Sequence, residues 1–150
     1  MIDLIPAIDI INGECVRLTK GDYSQKKVYN ANPAAIAQEC ASMGFKRLHM
    51  VDLDGAKSKH VVNAAVLRAV SQATSLSIDF GGGIKTQEDM DKVFDNGAKM
   101  ATVGSISYTD PQTFEAWIKR YGPDRIILGA DVRDKNIAIN KIRHLLYGIG

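Results

Sequence analysis

An α/β fold built around a parallel sheet is what this sequence predicts, and three observations predict it. Short apolar, β-branched runs alternate with segments whose apolar residues recur at spacings of three and four. The runs are mostly apolar on both parities, as expected of strands covered on two sides. Polar groups or glycine follow where each strand would emerge, as in "MGFKRLHMVDLDGA" and "NGAKMATVGSISY". A βα unit repeating about every 25 to 30 residues suits a doubly wound sheet or a (β/α)8 barrel alike, and the pattern leaves both open.

Strands are predicted at "DLIPAID" (3–9), "RLHMVDLD" (47–54), "LSIDFG" (76–81), "KMATVGS" (99–105) and "RIILGADV" (125–132). Between them, "NPAAIAQECASMG" (32–44), "VVNAAVLRAVSQAT" (61–74), "TQEDMDKVFDNG" (86–97) and "DPQTFEAWIKRYG" (110–122) read as amphipathic helices. Asn32 and Asp110 are candidate N-caps, each with proline at the first helical position, and Gly44, Gly97 and Gly122 follow the last turns. "GECVRLTKGDY" (13–23) alternates Val16 and Leu18 with polar residues, which predicts a short extra strand before a loop.

Length and composition bound the function. A chain of 150 residues has the size of one domain, and an apolar share of 45% disfavours disorder. No apolar run approaches the roughly 18 residues of a spanning helix, and "MIDLIPAIDI" has no basic segment before its apolar stretch. The expectation is a cytoplasmic protein. A net charge of +2 argues for neither a nucleic-acid nor a membrane partner. Cys15 and Cys40, widely spaced, read as reduced structural thiols, and Met43, Met50, Met90 and Met100 as core filler. Trp117 reads as an outer-layer contact on its helix.

The glycine run in "LSIDFGGGIKTQEDM" follows a strand and opens a helix, where exposed backbone N–H groups and the helix dipole favour an anion such as phosphate. A tight turn needing positive φ is the competing reading. The spacing fits neither a dinucleotide fingerprint nor a P-loop. "VGSIS" offers Gly104 and Ser105 at the next strand end, so two strand ends could close round one phosphate.

Asp9 and Asp131 end the first and fifth strands behind apolar residues. In an eight-stranded barrel these strands face each other, and two carboxyl groups in unlike surroundings suit an acid and base pair. Pairing with Arg17 or Arg133 is the structural alternative. Asp52 and Asp54 also emerge at a strand end, where loop organisation is favoured over catalysis, and His49 is expected to pack or hydrogen-bond within its strand. No triad spacing, H-E-x-x-H or cysteine cluster is present, so cofactor-free proton transfer is the chemistry that remains, with no metal expected.

"LIPAIDIINGECVRLTKGDY", "HMVDLDGA", "DFGGGIKT", "VGSISYTDP" and "LGADVRDKNIAIN" follow one another in order. With these motifs the chain resembles the phosphoribosylformimino aminoimidazole carboxamide ribotide isomerases of histidine biosynthesis. The resemblance implies a (β/α)8 TIM barrel, incomplete here with about five of eight βα units in a single partial domain over residues 1–150. It also implies a sugar phosphate substrate, no cofactor, and an Amadori rearrangement of an aminoaldose to an aminoketose. Matched by motif, Asp9 is the base and Asp131 the acid. Gly82, Gly83, Gly104 and Ser105 hold one phosphate, and Arg17, His49, Asp52 and Lys85 are expected substrate contacts. Lys85 stands where the family usually has arginine, which keeps the charge but loses the bidentate fork.

The family continues after this point with Gly-Trp and three further βα units, whereas here "NKIRHLLYGIG" follows. A truncated chain is therefore expected, with residues 141–150 not native to the fold, doubtful activity, and self-association through an open barrel edge. Two alternatives stand beside the isomerase. One is the cyclase subunit of imidazole glycerol phosphate synthase, which typically reads Cys-Leu-Asp at Ala7, Ile8 and Asp9. The other is a non-catalytic phosphate-binding half-barrel.

Overall fold

The computed structural model describes residues 4–19, 22–30 and 32–129, with 17–19 and 22–30 described as backbone only. The chain divides into two compact units, Met1–Ala101 and Thr102–Gly150.

The first unit opens with a hairpin of β1 (Ala7–Ile11) and β2 (Glu14–Thr19), joined by Asn12 and Gly13 at φ 51° and 77°. Positive φ at both central residues is the geometry of the tight turn that twists with its strands, and Asn-Gly is the pair that adopts it most readily. β3 (Asp22–Asn30) pairs antiparallel with β2, with register shifts at Cys15/Val16 and Leu18/Thr19. Where a loop is expected to follow the strand at 13–23, β3 is thus a second strand. "DYSQKKVYN" lacks an apolar alternation, and its backbone pairing alone makes it one.

α1 (Pro33–Ser42), β4 (Arg47–Asp52), α2 (Leu53–Ser58), α3 (Ala64–Ala73), β5 (Ser77–Gly81), α4 (Gln87–Asp95) and the start of β6 (Met100–Val103) complete the unit. The strand order is β3-β2-β1-β4-β5-β6, with β1, β4 and β5 parallel. Asn32 caps α1 by accepting from the Ala34 and Ala35 amides at 3.1 and 3.4 Å, as its position before Pro33 predicts. Thr86 and Asp89 form a capping box on α4.

Register decides which side chains share a face. Ala7, His49 and Asp79 lie level across β1, β4 and β5, and so do Ile8, Met50 and Phe80. The second set, with Ile10, Leu48 and Ile78, is buried; burying each such side chain contributes about 1.5–3 kcal/mol. The first set, with Asp9, Arg47 and Ser77, is polar and mostly half-buried. The expectation of apolar residues on both parities is met on one face alone: that face is dry, and the other mixes these polar residues with Ala7, Ile11 and Val51. Met43 is also corrected from core filler, being 65% exposed at the end of α1, while Met50 and Met90 are fully buried.

In the second unit, β6 continues to Val103, whose carbonyl accepts from the Gly129 amide at 2.8 Å beside β7 (Ile126–Leu128). α5 (Ile106–Thr109) is a single turn that the hydropathy pattern does not predict, and α2 was likewise hidden within the expected strand end. α6 (Pro111–Tyr121) starts at Asp110, which accepts from the Thr113 amide at 3.2 Å, and buries Phe114 and Trp117. The expected fifth strand runs from Ile126 as far as Leu128; residues 130–132 of it lie outside the described residues.

Candidate functional site

On the polar face of the first unit's sheet, Asp9 stands two residues beyond Ala7 and therefore next to the level of His49 and Asp79. His49 Nδ1 pairs with Asp79 Oδ1 on the adjacent strand, a bond across the sheet rather than the contact within its own strand that was expected. The side chain of Asp79 is 5% exposed and that of His49 32%. This pairing raises the imidazole's pKa above its ordinary value against the opposing effect of burial; the charges of Asp79 and Asp9 raise it further. Burial in turn pushes the Asp9 carboxyl up from the usual carboxylate range, and the neighbouring His49 draws it partly back. Asp9 also lines a cavity of about 400 Å³ with Ala7, Cys15, Ile36 and Glu39.

Where β4 runs into α2, Asp52 is a hub. Its Oδ1 accepts from the Gly55 amide at 2.8 Å and Asn63 Nδ2 at 2.7 Å; its Oδ2 accepts from the Val62 and Asn63 amides at 2.7 and 2.8 Å. The residue is fully buried. With both oxygens committed, Asp52 organises the loop, the role favoured for it from the sequence over catalysis. Asn63 spends its side chain on Asp52 and Asp54 and so makes no side-chain cap on α3. Asp54 also accepts from the Asn12 amide at 2.7 Å, tying the first hairpin to α2.

The glycine loop lies against this junction. A Cβ on Gly82, at φ +111°, would meet the Asp52 carbonyl oxygen at 2.2 Å; one on Gly83, at φ +82°, would meet the carbonyls of Gly55 and His60 at 2.4 and 2.5 Å. Side chains are excluded by protein backbone and by positive φ, so close backbone packing alone accounts for the glycines. The amides of Gly82, Gly83 and Ile84 donate no hydrogen bond to any described residue. The next two amides, of Lys85 and Thr86, are taken by Asp89 Oδ2 at 3.2 and 3.1 Å, while Asp89 Oδ1 accepts from Val61 at 2.9 Å. Burial alone would raise the Asp89 carboxyl, but these donors and the Thr86 hydroxyl together hold it below its usual value.

Lys85 follows the loop, its pKa lowered by burial and by repulsion from Lys59. Among the described residues neither lysine has a carboxylate partner.

In the second unit, the Gly104 carbonyl accepts from the Ser107 amide at 3.0 Å and its hydroxyl at 2.7 Å. Ser105 precedes α5 without a side-chain capping bond. The amides of Gly104 and Ser105 have no acceptor among the described residues. Asp131 lies outside the described residues, as does the side chain of Arg17. Cys15 and Cys40 are free and buried. Among the described residues no cluster of three metal-ligating side chains occurs, and no helix is long and apolar enough to cross a membrane.

Sequence reasoning missed Asp79 and Asp89. Thr86 three residues before Asp89 is a capping-box spacing that could have revealed the second. For Asp79 the only signal is register, which a single strand does not display.

Residues 3–146 match the family model described as histidine biosynthesis protein. Over 140 residues the chain is 57% identical to the 1-(5-phosphoribosyl)-5-((5-phosphoribosylamino)methylideneamino)imidazole-4-carboxamide isomerase of Phocaeicola vulgatus. It is 59% identical over 140 residues to the isomerase of the same name from Bacteroides fragilis, and 55% to that of Bacteroides thetaiotaomicron. Each match covers 93% of this chain and 59% of the relative, so the chain spans about three fifths of their length. Its α/β fold with a mostly parallel sheet is thus partial and TIM-barrel-like. The chain belongs to the histidine biosynthesis protein family, in which its relatives are isomerases.

Proposed function

We propose that this chain carries part of an aldose–ketose isomerase of histidine biosynthesis, acting on a phosphoribosylformimino aminoimidazole carboxamide ribotide. The acid protonates the ribose ring oxygen, the C1′–O bond breaks, and a C1′=N iminium results. The base removes the C2′ proton to give an enolamine. Reprotonation at C1′ and tautomerisation then yield the aminoketose.

Asp9 is the base in this reading. The observation that carries it is its placement: a half-buried carboxyl, lifted toward neutrality by burial, on the polar face beside His49. A carboxylate with a raised pKa takes a proton more readily than a solvated one. Asp131 is the acid, assigned from "LGADVRD" alone. A terminal phosphate is received by the Gly82 and Gly83 amides, with Lys85 as its counter-charge; Gly104 and Ser105 are assigned to phosphate binding from the "VGSIS" motif alone. That the loop amides and Lys85 have no acceptor or carboxylate partner among the described residues supports that role.

The test is conversion of the aminoaldose by the purified chain, followed by proton NMR. Turnover that falls about 10²- to 10⁴-fold in Asp9→Asn supports the reading. Undiminished turnover in the variant overturns it.

A further inference from the structure

We propose that Asp79 is a positioning residue for this site: from β5 it holds the Nδ1 edge of His49 and so fixes the imidazole beside the Asp9 carboxyl. The inference rests on the reading of Asp9 as the base and adds a residue that the motif resemblance does not supply.

The geometry is set by three parallel strands. His49 lies level with Asp79 on one side and with Ala7 on the other, and Asp9 is the next residue of β1 on the same face. Adjacent strands lie about 4.8 Å apart and diagonal neighbours about 7–8 Å, within reach of an imidazole ring. A carboxylate bonded to Nδ1 fixes a proton there, which leaves Nε2 as the other functional edge. If the ring is cationic, Nε2 donates and the charge favours an ionised Asp9; if neutral, Nε2 only accepts.

Asp79 is itself almost enclosed, and its carboxylate is bonded to the Nδ1 edge of the ring. Burial raises Asp9 and His49 lowers it, so the protonation of the base depends on the charge on the imidazole. That charge depends first on Asp79. Among the described residues, Arg47 lies two residues back on β4 on the same face as His49, while Cys15 of β2 and Glu39 of α1 lie beside Asp9. Arg47 and Asp79 make further interactions as well.

The experiment is an NMR titration of the histidine rings in the full 150-residue chain, wild type and Asp79→Asn. In the wild type the His49 ring titrates above the ordinary value of 6.5 and retains its Nδ1 proton when neutral. In Asp79→Asn the midpoint falls by about one unit or more and the Nδ1 signature is lost. A wild-type midpoint at or below 6.5, or one that does not move in the variant, overturns the proposal. The wild-type arm decides even if the variant fails to fold. These readouts need no turnover, so the proposal can fail while Asp9→Asn still abolishes isomerisation, and the reverse. Where turnover is measurable, the acid limb of the kcat/KM profile moves up by about half a unit to one unit in Asp79→Asn, with KM changed less than about twofold.

Discussion

Replacing Asp52 by Asn tests the hub with a change of almost no volume. The carboxylate accepts from two donors on each oxygen, all at 2.7–2.8 Å: Gly55 and the Asn63 side chain on Oδ1, Val62 and Asn63 amides on Oδ2. An amide side chain keeps one oxygen. Whichever way it is placed, its NH2 group faces two N–H donors, at least one of them buried, and both lose their acceptor. Each such loss costs about 1–3 kcal/mol, so the variant is expected to lose about 2–6 kcal/mol. That is a large part of the roughly 5–15 kcal/mol that stabilises a domain. Urea unfolding followed by circular dichroism measures it, with the midpoint shifting at constant slope. The Val62 and Asn63 amides should also exchange faster with solvent than in the wild type. A loss under about 1 kcal/mol with unchanged exchange would refute the claim that these four bonds hold the β4–α2 junction.

Further outcomes follow from the same geometry. Gly82→Ala places a methyl group 2.2 Å from the Asp52 carbonyl at φ +111°, so it should cost about 2 kcal/mol or more in denaturant unfolding; a loss below about 0.5 kcal/mol contradicts the packing. Asp9 has a raised folded pKa, so the native state holds its proton more tightly than the unfolded chain, and stability falls as pH rises from 3.8 through the folded value. Asp9→Asn should therefore melt higher than wild type at neutral pH, and this advantage should vanish below pH 3.8; equal melting temperatures at pH 7 would exclude it. Asp89 has a lowered folded pKa, so its contribution is full above 3.8 and lost as pH falls through the folded value; Asp89→Asn should flatten that acid limb in melts between about pH 2 and 5. Cys15, pushed up to about 11 by burial, should react with iodoacetamide at pH 8 only on unfolding, and rapid labelling of the native chain would count against its burial.

The sequence displayed what depends on local spacing. Asn32 before Pro33 and Asp110 before Pro111 mark helix starts because a short side-chain oxygen reaches the free amides of the first turn, and the structure uses both this way. The Asn12-Gly13 pair is an equally local hairpin signal that the sequence reading did not use, and the second partner of that ribbon, β3, carries no apolar alternation and is defined by pairing alone. α2 and α5 are single turns, too short for hydropathy to show a period. Of the candidate site, Asp9 and the glycines could be picked out, although Asp9 lies at the centre of β1 rather than at the expected strand end. What the glycines contact could not, because their close neighbours, Asp52, Gly55 and His60, are brought there by the parallel pairing of β4 with β5.

Parity explains why three aspartates of one sheet have such different surroundings. Asp52 falls on the parity of Leu48 and Met50, the dry side, where a carboxylate survives only by saturating its oxygens with N–H donors. Once saturated it has no lone pair to spare for a substrate and serves as architecture. Asp79 and Asp9 fall on the opposite parity, where one ring, that of His49, stands near both acids. Asp79 takes the Nδ1 edge and is enclosed by doing so. Asp9, left half-buried with only the charge of the ring to offset its desolvation, is the acid of the three whose protonation responds to its surroundings. Shifting the pairing of β1 by one residue would exchange Asp9 with Ile8 or Ile10 and put that carboxyl among the buried side chains. Hydrophobic pairing of Ile8 with Met50 and Phe80 therefore fixes where the proposed base stands, and the chemistry of the polar face is a consequence of the packing on the dry one.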